Sequence, residues 1–162
     1  MAYDVRIIAN LVLQVAGDVN VDVTNLSLNK IIYFLHVAYL HEKSEPLTTA
    51  KIEAWDYGPV FREIYHQFKS FGSNPITSKA RRLDVMRGQY VDIETFTSES
   101  DKLFLVTHCK TLLKMSAAKL VGMSHLEDGA WHKARYGSGR VNPGIEITDE
   151  LIMEAGIGKS RH

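Results

Sequence analysis

Cys109 is the single thiol of the chain, and His108 stands beside it. A cysteine with a histidine is the minimum for nucleophilic catalysis. Adjacent residues on a helix point in different directions, however, and a cysteine within an apolar helical run is a small packing residue. Metal binding asks for His, Cys or carboxylates at ligand spacing. His36 and His41 are separated by about 140° around a helix axis and do not converge. His125 and His132 are divided by a turn at Gly129. Gly137-Ser138-Gly139-Arg140 is glycine-rich and basic, but it lacks the strand, the lysine and the helix of a phosphate-binding loop, and a plain surface loop explains it better. His125-Leu126-Glu127 resembles half of a zinc-deaminase signature, with no Pro-Cys-x-x-Cys after it. These residues make no catalytic set, no metal site and no cofactor site.

Two other patterns point to binding. Residues 61–87 carry Arg62, Lys69, Lys79, Arg81, Arg82 and Arg87 against Glu63 and Asp84, a balance of +4, whereas residues 88–101 carry Asp92, Glu94, Glu99 and Asp101, a balance of −4. Such a dipole can steer a charged partner, or be spent on internal pairs. Trp55, Tyr57, Phe61, Tyr65, Phe68 and Phe71 fall within seventeen residues. Tyr65, Phe68 and Phe71 follow helical spacing and belong to a core. Trp55 and Tyr57 stand at a turn, where aromatic side chains can serve as interface anchors, although packing against the second helix is the stronger expectation.

The elements that must position these residues are mostly helices. Val5, Ile8, Ala9, Val12, Val15 and Ala16 predict a helix over 4–16 that ends at Gly17. Leu28, Ile31, Ile32, Leu35, Ala38 and Tyr39 predict a deeply buried helix over 27–43, capped by Ser27 or Asn25. Tyr57-Gly58-Pro59 reads as a turn into a helix over 60–71, with Pro59 at its first position and Gly72 as its stop. Leu83, Val85, Tyr90, Val91 and Ile93 flank Arg87-Gly88-Gln89 as a short hairpin. Ser98 opens a helix through Lys114, Ser116 caps one over 117–125, a short segment covers 131–135, and Thr148 caps one over 149–155.

At 162 residues, 45% apolar and 23% charged, the chain fits one domain with a real core. The expected class is mainly α: a single compact helical domain over 1–155 with a small irregular or β-hairpin insertion around 73–97, and a frayed tail over 156–162. Nineteen basic and nineteen acidic residues give zero net charge, which disfavours nucleic acid as a partner. It leaves little repulsion against self-association, so a homo-oligomer is open. One cysteine and no evident signal peptide or apolar span point to the cytoplasm and to no membrane.

Two boxes carry a family resemblance. The first is Leu28-Asn29-Lys30-Ile31-Ile32-Tyr33-Phe34-Leu35-His36, then Pro46-Leu47, then Ile52-Glu53-Ala54-Trp55-Asp56-Tyr57-Gly58-Pro59-Val60, with Glu63-Ile64-Tyr65 and Phe68-Lys69 following. The second is Ser124-His125 through Gly129-Ala130-Trp131 and Ala134-Arg135. Over about residues 5–135 the chain resembles the Panacea antitoxin domain family, the SocA-like and phage-associated GepA-like proteins. It departs from the family pattern at Ser124, where Thr is usual, and at Ala130, where Pro is usual.

The resemblance implies a non-enzymatic antitoxin that neutralises a cognate protein toxin by direct binding. For some members it also implies presentation of the toxin to an ATP-dependent protease. Tyr33, Gly58, Pro59, Tyr65 and Trp131 are expected as scaffold. Trp55, Tyr57, Phe61, Arg62, Arg81, Arg82 and His125 are the candidate partner-binding residues. The alternatives are a protease adaptor that only delivers its cargo, or an enzyme acting on nucleotides or nucleic acid through His125, Arg140 or the basic residues near Arg81.

Overall fold

Helix α2 (Asn25–Lys43) is the element around which the others are arranged, and its sequence explains why. Leu28, Ile31, Ile32, Tyr33, Leu35, Tyr39 and Leu40 are all buried, so the helix has apolar residues around most of its circumference. Such a helix must be enclosed. The computed structural model, which describes residues 2–126, 129–137 and 145–159, shows it packed by α1 (Val5–Asp18), the strand β2 (Gly58–Phe61), α3 (Arg62–Gln67), α4 (Glu99–Leu112), α5 (Ala117–Ser124) and α7 (Asp149–Lys159). The remaining elements are β1 (Ile52–Trp55), a 3-10 turn at Lys69–Phe71, β3 (Arg81–Asp84), β4 (Gln89–Asp92) and α6 (Ala130–Tyr136). The architecture is mainly α with two small antiparallel hairpins among the described residues. None of the described helices is long and apolar enough to cross a membrane.

The polar residues buried within α2 fasten three of its neighbours. Asn25 Nδ2 donates to the Tyr65 carbonyl of α3 at 3.0 Å. Asn29 Oδ1 accepts from Phe61 N of β2 at 2.9 Å, and the Lys30 ammonium donates to the Pro59 carbonyl of β2 at 2.9 Å. His36 Nε2 meets Asp149 Oδ1 of α7 at 2.8 Å. Buried polar groups are tolerated only when paired, so these contacts specify which element lies where on an otherwise nonspecific apolar cylinder. Asp101 of α4 adds another tie, accepting from the hydroxyls of Tyr3 at 2.6 Å and Tyr39 at 3.1 Å.

The expected insertion is the hairpin β3–β4, with Leu83 opposite Tyr90 and Gly88 at φ 62° in its turn. Asn10 of α1 clamps its base, donating to the Ala80 carbonyl at 3.1 Å and accepting from Ala80 N at 2.7 Å. Ser98 and Ser116 cap α4 and α5 as their positions predict. The cap of α2 is instead Thr24, in a reciprocal capping box with Ser27. Helix α7 runs to Lys159, past the expected end at Ala155.

The expected helix over 60–71 needs correction. Gly58, Pro59, Val60 and Phe61 form β2, paired with Ile52–Trp55 in a hairpin whose turn is Asp56-Tyr57. Only Arg62–Gln67 is α-helical, followed by the 3-10 turn. The cause is tertiary. The Pro59 carbonyl and Phe61 N–H, which an α-helix would turn along its axis, are taken by Lys30 and Asn29. The proline ring is as compatible with an edge strand as with a first helical turn.

Candidate partner-binding site

The tip of the β1–β2 hairpin is an exposed turn braced from several elements. Gly58 has φ 110°, a conformation that side-chain-bearing residues avoid. A Cβ there would stand 2.5 Å from Ser124 Oγ and 2.7 Å from Lys30 Cε. Glycine is therefore needed both for its backbone angle and for the close approach of α2 and α5. Ser124 Oγ is itself bonded to the Val121 carbonyl at 2.7 Å.

The rest of the second box closes on the same turn. Trp131 Nε1 donates to the Trp55 carbonyl at 2.7 Å. Arg135 Nη1 donates to the Ala54 carbonyl at 3.1 Å, and its Nη2 to Asp56 Oδ1 at 2.8 Å. His125 stacks on the Trp131 ring, centroids 3.9 Å apart at 14°. Burial first, then the positive charges of Lys30 and Arg135, hold the His125 imidazole below its ordinary pKa. The two boxes, separated by more than fifty residues in the chain, are thus one structural unit.

What this unit presents outward is Tyr57, with 71% of its surface exposed. Trp55 is half-buried beside it, its Nε1 donating to Glu53 Oε2 at 2.7 Å and its ring edge-on to Tyr65 at 4.9 Å. A groove of about 520 Å³ opens there, lined by Asn25, Leu26, Asn29, Lys30, Trp55, Asp56, Tyr57, Val60, Tyr65, Lys69, Gly72 and Ser73. Its chemistry is that of contact: apolar burial, aromatic packing and ion pairing at the rim. Among the described residues no three His, Cys, Asp or Glu side chains gather as metal ligands. Cys109 is buried, and burial pushes its thiol up to about 12, so it stays protonated near neutrality.

The sequence candidates divide accordingly. Trp55 and Tyr57 line the groove, and His125 braces it through Trp131. Phe61 is fully buried, edge-on to His36, and offers no surface. Arg62 is exposed near Glu53 at 3.7 Å. Arg81 and Arg82 lie on the β3–β4 hairpin and do not line the groove; Arg81 pairs with Asp92 at 3.6 Å. Tyr33, Gly58, Pro59 and Trp131 are buried, and Tyr65 is half-buried. Glu127, Ser138, Gly139 and Arg140 lie outside the described residues.

Reading the sequence missed Asn25, Leu26, Asn29, Lys30, Lys69 and Arg135 as parts of this site. Lys30 had a signal: it interrupts the apolar run Leu28–Leu35 on a helix that has to be enclosed, and a lysine there needs a dedicated acceptor.

The chain is a helical scaffold with a braced aromatic turn beside an open groove. The family model for SocA-like antitoxins, Panacea domain, matches residues 28–132, which span both boxes. The chain is 31% identical over 152 residues to the antitoxin SocA of Caulobacter vibrioides (strain NA1000 / CB15N), across 93% of this chain and 81% of that one. No solved structure matches it. The chain belongs to the SocA-like Panacea antitoxin family.

Proposed function

We propose that this protein is a cytoplasmic antitoxin that neutralises a cognate protein toxin by direct, non-enzymatic binding, and that the groove beside Tyr57 is its contact face. The observation that carries the reading is the contrast at the hairpin tip. Lys30, Trp131 and Arg135 hold the turn from within by hydrogen bonds, and Ser124 packs against Gly58, yet the aromatic residue the turn displays is 71% exposed. Rigid, partly desolvated aromatics lose little conformational entropy on binding and are enriched among interface hot spots. Family membership supports the antitoxin role, and the relative's own name supports it further.

Co-expression tests the reading. Genes adjacent to that of this protein are expressed singly to find one that arrests growth, and the arrest is then challenged with this protein. Wild type restores growth and co-purifies with the toxin. Tyr57→Ala, at an exposed position, keeps the melting temperature and loses both rescue and co-purification, with affinity down by about tenfold or more. Rescue undiminished by Tyr57→Ala places the contact face elsewhere, and absence of any arrest that this protein relieves refutes the antitoxin role.

A further inference from the structure

We propose that the groove beside Tyr57 receives an amphipathic helical segment of the toxin carrying a carboxylate within one helical turn of an apolar or aromatic anchor. This rests on the groove being the toxin face and deepens that reading by giving the occupant its chemistry.

The first argument concerns the backbone. A hairpin at a groove usually invites strand addition, which needs a free edge. Neither edge of β1–β2 is free. The outer side of β1 is taken by residues 145–147: Ala54 N donates to the Ile145 carbonyl and Ile147 N to the Ile52 carbonyl, both at 2.8 Å. On β2, Lys30 holds the Pro59 carbonyl and Asn29 holds Phe61 N. The groove therefore offers side chains rather than main-chain groups. A helix, with its own backbone groups satisfied, is the element that docks by side chains alone.

The second argument is charge. Leu26, Trp55, Tyr57 and Tyr65 supply the apolar wall for the anchor. Of the charged residues lining the groove, Asp56 is already engaged by Arg135 at 2.8 Å. Lys69 is exposed and has no ion-pair partner among the described residues. Lys30 is a buried cation whose acceptor is a neutral carbonyl. The charge left without a counter-charge is positive. Interfaces match potentials of opposite sign and reject like charge, so the occupant brings a carboxylate, with Lys69 as its rim partner.

The experiment selects a phage-displayed random-peptide library on the full-length protein, then measures the synthesised consensus peptide by fluorescence polarisation against three proteins. These are wild type, Tyr57→Ser and Lys69→Glu, each shown by thermal melting to be folded. The expected consensus has Asp or Glu three or four positions from Leu, Phe or Trp. Tyr57→Ser weakens it about tenfold or more. Lys69→Glu weakens it about fivefold, an effect that shrinks as salt is raised. Peptides that need Tyr57 but are basic, or that ignore Lys69→Glu, overturn the carboxylate assignment and leave the groove standing. Peptides indifferent to Tyr57→Ser, or no enrichment, overturn the groove itself.

Discussion

Lys30 shows how one residue couples electrostatics to the fold. Its side chain is fully buried, and burial lowers its pKa from 10.5 to about 8. The native state thus resists the charged form. The folded amine gives up its proton near pH 8, whereas the unfolded chain keeps its own to about pH 10.5. In that window the unfolded state binds more protons, so the Lys30 contribution to stability rises with pH, by up to about 1.4 kcal/mol per pH unit. Below pH 8 the full penalty is present. Urea titrations of wild type and Lys30→Met at several pH values check this: wild type gains on the variant between pH 8 and pH 10. A gap that stays constant with pH refutes a lowered Lys30 pKa. Gly58 makes a simpler case. Gly58→Ala combines a left-handed backbone with a Cβ against Ser124 and Lys30. It is expected to cost about 2–4 kcal/mol in chemical denaturation. A loss below about 0.5 kcal/mol would mean that α5 shifts away freely.

Among the elements, α2 illustrates how a terminus is defined. Thr24 Oγ1 accepts from Ser27 N at 3.3 Å while Thr24 N donates to Ser27 Oγ at 3.0 Å, satisfying two of the groups a helix start leaves open. Thr24→Ala removes half of that exchange and is expected to cost about 1 kcal/mol in urea unfolding. Thr24→Asn, which preserves a capping acceptor, recovers most of it. The same element explains the misread segment over 60–71. The spacing of Ile64 and Phe68 is helical, and a helix does begin at Arg62. Val60 and Phe61 are just as compatible with a strand, and nothing local chooses between the two. Their choice is made by Asn29 and Lys30, which reach the backbone of Phe61 and Pro59 from 32 and 29 positions earlier.

For the molecule as a whole, the enclosure of α2 predicts an uneven distribution of stability. Its amides are covered by five helices and a strand. The hairpin β3–β4 is an isolated pair with Leu83, Val85, Met86 and Tyr90 exposed. Amides in local units of low burial open at a free-energy cost far below that of global unfolding. Hydrogen exchange is therefore expected to be slowest over residues 28–40 and faster by orders of magnitude over residues 81–92. Equal protection of the two segments would require the hairpin to be covered by a second molecule, and a concentration series would reveal it.

The sequence alone determined the helical class, since the spacing of apolar residues in α1 and α2 and the serines at the starts of α4 and α5 act within one or two turns. It also determined the family, because both boxes are written in contiguous residues, and it placed a small irregular or hairpin insertion around Gly88. Trp55 and Tyr57 stood out by type and by their place at a turn. What only the tertiary structure decided is how the boxes meet: that Gly58 is the point where Lys30 and Ser124 close in, that Trp131 and Arg135 grip the carbonyls of Trp55 and Ala54, and that Phe61 is core while Lys69 is rim. The physical reason is range. Helical periodicity and capping are local interactions, whereas the groove is made by hydrogen bonds between residues 29 to 81 positions apart, whose pairing is settled only when α2 is enclosed.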